Sequence, residues 1–166
     1  MRIVDSILAE LDQEAATTRR ILERVPNDKL AWTPHAKSMN LGQLAMHIAT
    51  VPGTIAGFVS GPVFEMSGTF KQGAATSTAE VMTALDQSLA KAKEILNGLD
   101  DATITSSWSM KAGGKTIMTM PRLAVIRSIL LNHWYHHRGQ LSVYLRELDI
   151  PLPSIYGPTA DENPFA

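Results

Sequence analysis

The stretch 121–148, PRLAVIRSILLNHWYHHRGQLSVYLREL, reads as one long helix, closed by Pro151 and Pro153. It carries three of the chain's five histidines within five residues. At 100° per residue, with His133 set at about 0°, Ile126 falls near +20°, Leu130 near +60°, Leu141 near +80° and Tyr144 near +20°. The apolar stripe is then centred near +30°, and His133 (about 0°) and His137 (about +40°) lie on it. His136, near −60°, sits on the flank, and Arg138, near +140°, is expected to face away.

Three further segments carry the same periodicity. Residues 2–25 place Ile3, Ile7, Leu8, Leu11, Ala15, Thr18, Ile21, Leu22 and Val25 on one face, and Pro26-Asn27 stops the helix. A loop with Trp32 and Pro34 leads to Asn40 and Gln43, a capping box that starts a second helix at Leu41. Its stripe is Leu44, His47, Ile48, Val51, Ile55 and Phe58, with Pro52 expected to kink it. Residues 60–76 are rich in Gly, Ser and Thr and read as a connection. Ser77 and Glu80 form a second capping box, and a third helix runs to Asn97-Gly98 with Val81, Leu85, Leu89, Ala92 and Leu96 inward. In WSMKAGGKTIM (108–118), Gly113-Gly114 separates two alternating runs, the pattern of a hairpin. The fold expected is all-α: one four-helix-bundle domain over 1–166, with a short β-hairpin between helices 3 and 4.

With 166 residues and 45% apolar content, the chain can bury a core of its own. A formal net charge of −1 and the lack of a basic run argue against nucleic acid as a partner. No apolar run approaches the length of a membrane span, and MRIVDSILAELDQE carries acids through its apolar positions, unlike a signal peptide, so a cytoplasmic protein is expected. Cysteine is absent, which excludes disulfides, thiolate metal sites and a nucleophilic Cys. Thiol chemistry would need an external small-molecule thiol.

The histidines then carry the chemistry. Two imidazoles at i and i+4 have Cβ atoms about 5–6 Å apart, close enough to share one ion. His47 adds a third nitrogen from the stripe of the second helix. One histidine facing His-x-x-x-His leaves coordination positions open, the pattern of catalytic metal sites. A single histidine on an apolar stripe is more often a satisfied core residue, so a metal centre of His47, His133 and His137 and a set of packed core histidines both stand at this point. His35 precedes any regular element and reads as surface. Gln140, near −20°, is placed to orient a bound group. Tyr144 is aligned too, although core packing is the ordinary role of an aromatic at that spacing. Gly139 inside a helix costs roughly 1 kcal/mol relative to Ala and points to a close backbone approach. The 60–76 segment and the C-terminal tail are expected at the pocket mouth, and Trp108 and the methionines in packing.

LGQLAMHIA (41–49) and NHWYHHRGQL (132–141), with the WTP and SMNLGQL stretches before the first and the hairpin before the second, resemble the DinB/YfiT-like family of metalloenzymes. The resemblance implies a four-helix bundle, often homodimeric, with His47, His133 and His137 as ligands. It implies a divalent ion, nickel or zinc foremost, iron or manganese otherwise. Five- or six-coordination completed by water favours nickel over structural zinc. Relatives include metal-dependent thiol S-transferases, isomerases and hydrolases. Three neutral imidazoles leave the ion its full charge, which lowers the pKa of bound water and ionises a bound thiol. The function expected is a metal-dependent hydrolase or thiol S-transferase acting on a small molecule, with a low-molecular-weight thiol as possible cosubstrate. The alternative is a non-catalytic, stress-related metal-binding or interaction protein. No dedicated catalytic acid or base is evident in the sequence.

Overall fold

In the computed structural model, residues 1–68 and 72–166 are described. In chain order the elements are α1 (Ile3–Leu22), a 3-10 turn (Asn27–Lys29), α2 (Leu41–Phe58), β1 (Val63–Met66), α3 (Thr78–Asn97), α4 (Asp101–Thr105), β2 (Ser107–Ala112) and β3 (Lys115–Pro121). The last helix comes in three pieces: α5 (Arg122–Val125), a π-helical stretch (Ile126–Asn132) and α6 (His133–Glu147). The long helices touch in a closed ring, α1 to α3, α3 to α2, α2 to α6 and α6 back to α1. That is the bundle the periodicity predicts. Among the described residues no helix is long and apolar enough to cross a membrane.

The helix starts follow the sequence signals. Asn40 Oδ1 accepts from Gln43 N at 2.8 Å, and Gln43 Oε1 accepts from Asn40 N at 3.0 Å, a complete capping box. At α3, Ser77 Oγ accepts from Glu80 N, but the Glu80 carboxylate reaches one residue further back, to the N–H and hydroxyl of Thr76. α1 ends at Leu22, three residues before the stretch read from sequence, because Pro26 cannot continue the ladder.

Pro52 sits inside α2 and removes the N–H that would satisfy Ile48 O. The indole of Trp134, fully buried on α6, donates Nε1–H to that carbonyl at 2.8 Å. At the very next residue, Gly53 N donates to Ser88 Oγ, which donates in turn to Thr50 O. A Cβ at Gly53 would lie 2.8 Å from Ser88 O, so only glycine allows α2 and α3 to approach this closely. The proline is thus relieved by side chains of both neighbouring helices.

The hairpin is present but is part of a three-stranded sheet. β2 pairs antiparallel with β3, and Gly113 (φ 54°) and Gly114 (φ 75°) supply the two positive φ angles of a tight hairpin turn. β1 adds parallel to the other edge of β2, from within the segment expected to be a plain connection. Four residues are too short for their alternation to stand out from a Gly/Ser/Thr-rich background. Trp108, buried as expected, donates Nε1–H to Phe58 O and pins the sheet to the C-terminal end of α2.

The π-helical stretch corrects the helical wheel. An i→i+5 stretch holds one more residue than the α-helix it replaces, and so offsets what precedes it by about 100°. The buried residues of α6 are Trp134, Arg138, Leu141 and Leu145, which centre near +110° on the wheel above, and Ile126 moves from about +20° to about +120° to join them. Arg138 therefore does not face away. It is 1% exposed and meets Glu14, 5% exposed, across the α1–α6 contact at 2.5 Å. Its guanidinium also reaches Thr18 Oγ1 and the hydroxyl of Tyr156, which donates to Glu14.

The C-terminal tail runs back over α1 and α6. Arg20 bonds Ser154 O and Glu162, and Asp161 accepts from Arg146 and from Leu152 N. Gly139 lies on the exposed side of α6 with no atom of the described residues within 4 Å of an added Cβ, so the close approach expected there is not found among them.

Candidate metal centre

His47 comes from the middle of α2, and His133 and His137 from the first turns of α6, directly after the π-helical stretch. All three are half-buried, and His133 and His137 lie on the flank of the corrected wheel and not at its centre. The Trp134–Ile48 bond clamps the two backbones one residue beyond His133 and His47, which fixes the height at which the rings meet.

The rings converge through Nε2. His133 and His137 Nε2 are 2.7 Å apart, His47 and His133 Nε2 are 3.4 Å apart, and the three nitrogens lie within 4.8 Å of one another. Metal–N bonds of about 2.0–2.1 Å at angles of 90–109° put ligand nitrogens roughly 2.9–3.4 Å apart, and the His133–His137 and His47–His133 separations lie within a few tenths of an ångström of that range.

The outer nitrogens strengthen that fit. His133 Nδ1 is 3.2 Å from Ile129 O, His47 Nδ1 is 3.0 Å from Gln72 Oε1, and His137 Nδ1 is 2.7 Å from Gln140 Oε1. Carbonyl oxygens only accept, so each Nδ1 carries the hydrogen. The amide of Gln72 is oriented by its Nε2, which donates to Gly73 O. In the neutral state every Nε2 then presents a bare lone pair to the others, an arrangement that repels unless a cation sits among them. Burial, first of all, also lowers the pKa of His133 and His137, the latter to about 4, with the neighbouring histidines acting in the same direction. His133 and His137 are thus held as neutral imidazoles, and each of the three rings has its tautomer set by an uncharged acceptor, the arrangement a metal requires of its ligands. Among the described residues no carboxylate joins the group, so the full charge of an ion would remain available for chemistry.

Of the other residues singled out by sequence, Gln140 lies beside the cluster as the acceptor for His137. Tyr144 does not reach it: its hydroxyl donates to Met39 O, and its ring meets the edge of Trp32 at 5.6 Å. His136 is exposed, its ring 5.0 Å from that of His137. His35 is exposed, with Nδ1 accepting from Lys37 N. Sequence reasoning missed Gln72 and the carbonyl of Ile129. Gln72 stands in a segment with no periodicity to aim it, and a main-chain carbonyl leaves no trace in residue type.

A cavity of about 480 Å³ opens beside the nitrogens, with His47 and His133 in its wall. Met39, Thr50, Val51, Ile55 and Phe58 line it, and Gln72 stands at it from the 60–76 segment, as expected of that segment. The C-terminal tail lines a separate, smaller cavity of about 280 Å³ formed with Ser142. The tail is therefore not at this mouth, because Arg20, Glu14 and Arg146 hold it against α1 and α6.

The comparisons with known proteins agree with this architecture. A solved DinB-like protein from Bacillus cereus ATCC 10987 superposes with a TM-score of 0.69 at 21% identity, covering 92% of this chain and 97% of that one. A second, YjoA from Bacillus subtilis, gives 0.67 at 17% identity, covering 95% and 99%. An uncharacterized protein, YrdA of Bacillus subtilis (strain 168), is 23% identical over 163 residues, 96% of this chain and 91% of that protein. The family model described as the DinB family matches residues 1–163. A helical bundle with three histidines gathered between α2 and α6, matched by that model over nearly its whole length, belongs to the DinB family.

Proposed function

We propose that this protein is a divalent-metal-dependent enzyme acting on a small molecule, with His47, His133 and His137 as the metal ligands. One observation carries the reading: three lone pairs converge, their tautomers set by carbonyl acceptors, on the wall of a cavity large enough for a substrate. A closed, dry cluster would favour a structural or sensing role; a cluster open on one side favours catalysis.

A divalent ion held there would lower the pKa of a coordinated water towards neutrality or ionise a coordinated thiol, and either becomes a nucleophile. The reaction classes that follow are hydrolysis and thiol S-transfer, the latter with an external thiol because the chain has no cysteine. Gln72, Ile129 and Gln140 hold the imidazoles in register, and the apolar wall excludes water from the substrate side. Nickel is favoured, because three ligands on one face leave room for five- or six-coordination. Assembly as a homodimer belongs to the same proposal and is read by sedimentation.

The test is metal analysis of untagged protein, followed by hydrolysis assays and thiol-transfer assays with several low-molecular-weight thiols. Wild type is expected to bind one equivalent of metal, and His47→Ala, His133→Ala and His137→Ala to lose it, while His35→Ala keeps it. Unchanged metal content in the three variants refutes the ligand set.

A further inference from the structure

The walls of the cavity say what kind of molecule the site takes. At about 480 Å³ it falls within the roughly 300–1,000 Å³ of ordinary small-molecule sites. Beyond His47 and His133, Met39, Val51, Ile55 and Phe58 give it apolar surface, with Phe58 held by stacking on Phe64 at 3.9 Å.

Apart from Thr54 at the exposed edge, the polar side chains in the wall other than the histidines are committed elsewhere. The hydroxyl of Thr50 donates to the carbonyls of Met46 and His47. The amide of Gln72 is spent on His47 and Gly73. Among the described residues no Asp, Glu, Lys or Arg lines the cavity. A charge on the body of a ligand would lose water there with no charged side chain among the described residues of the wall to compensate it. Only at the histidine end could a lone-pair donor or an anion be matched, by the ion.

We infer that the substrate is a molecule with an uncharged, predominantly apolar body, lying along α2 between Met39 and Phe58, and a single donor group directed at the histidines. The second half of this rests on the metal reading above; the first half does not. The cavity is built for apolar bulk at one end and for one polar contact at the other.

Two dyes that differ by one sulfonate separate the possibilities. Metal-free, untagged protein is titrated with the neutral N-phenyl-1-naphthylamine and with 8-anilino-1-naphthalenesulfonate, following the emission of each. Saturable 1:1 binding of the neutral dye, at least tenfold tighter than that of the sulfonate, is expected. Thr54→Trp, at the exposed edge of the cavity, and Met39→Trp, also in its wall, should each weaken the neutral dye at least tenfold at an unchanged melting temperature. Equal or tighter binding of the sulfonate, or neutral-dye binding untouched by both variants, overturns the inference. On nickel-loaded protein, benzohydroxamic acid should displace the neutral dye at a concentration at least tenfold lower than from metal-free protein; equal concentrations overturn the metal-directed end. His47→Ala should lose this nickel dependence. Wild type that binds the dye but takes up none of nickel, zinc, iron and manganese refutes the metal reading and leaves the apolar body standing.

Discussion

Trp134→Phe isolates the contact that sets the height of the site. In wild type the indole N–H satisfies Ile48 O, the carbonyl that Pro52 leaves without its helical partner. The phenylalanine keeps an aromatic ring in the core and removes the donor. A buried carbonyl left unpaired costs about 1–3 kcal/mol, and the smaller ring gives up roughly another 1 kcal/mol of apolar burial. The total is about 2–4 kcal/mol, or a fall in Tm of roughly 4–16 °C for a chain of this length. The proline supplies the control. In a Pro52→Ala background, residue 52 regains an N–H that can donate to Ile48 O, so Trp134→Phe should lose only its packing component. Urea unfolding of the four proteins gives the coupling energy, expected at about 1–2 kcal/mol. If Trp134→Phe is equally costly in both backgrounds, the indole does not serve as the proline's missing donor and the account of α2 is wrong.

Three further outcomes are expected. Gln72→Ala should raise the metal dissociation constant about 10–100-fold, read by competition with a chelating dye, because His47 loses the acceptor that orients it; an unchanged constant would remove Gln72 from the site. Arg138→Met leaves the Glu14 carboxylate buried without its cation and should cost about 3–5 kcal/mol, whereas Arg138→Met with Glu14→Leu should recover most of that loss; equal losses in the two proteins would show that the pair is not coupled. Acid should free the C-terminal tail. Asp161 is held below its ordinary pKa of 3.8 chiefly by the Arg146 side chain, and Glu162 below 4.5 chiefly by Arg20. With folded pKa values depressed, their contribution is present above the unfolded pKa values and is lost as pH falls through and below about 4. Limited pepsin digestion should therefore cut near residues 157–163 at pH 3 before the bundle opens, and more slowly at pH 4.5 at matched protease activity.

The parts of the fold written in local chemistry could be read from the sequence. Asn40 and Gln43 cap each other because their side chains are three residues apart at a helix start, and Gly113-Gly114 turns because both positions need positive φ. The gathering of His47, His133 and His137 is legible because side chains that meet across two helices must lie on facing sides, and helical faces have a period. What stayed hidden depends on distant partners. β1 exists because β2 offers it an edge, Glu14 is buried because Arg138 meets it from another helix, and Gln72 reaches His47 from a segment with no regular geometry. The capping pair at Ser77 was half legible: the hydroxyl caps as expected, while the Glu80 carboxylate chooses Thr76, whose N–H and hydroxyl together offer it two donors.

The π-helical stretch is the feature that periodicity misjudged, and it explains why the histidines can work. On an uninterrupted α-helix, Ile126 and Leu130 would share a face with His133 and His137, and the two imidazoles would point into the middle of the core. One extra residue between Ile126 and Asn132 turns the upstream apolar face by about 100°. The core then takes Trp134, Arg138, Leu141 and Leu145, and the histidines are left on its flank, against α2 and beside the cavity. The same offset that buries Arg138 against Glu14 gives His133 and His137 an open side. A ligand set sealed in the core could hold an ion but could not present it to a substrate.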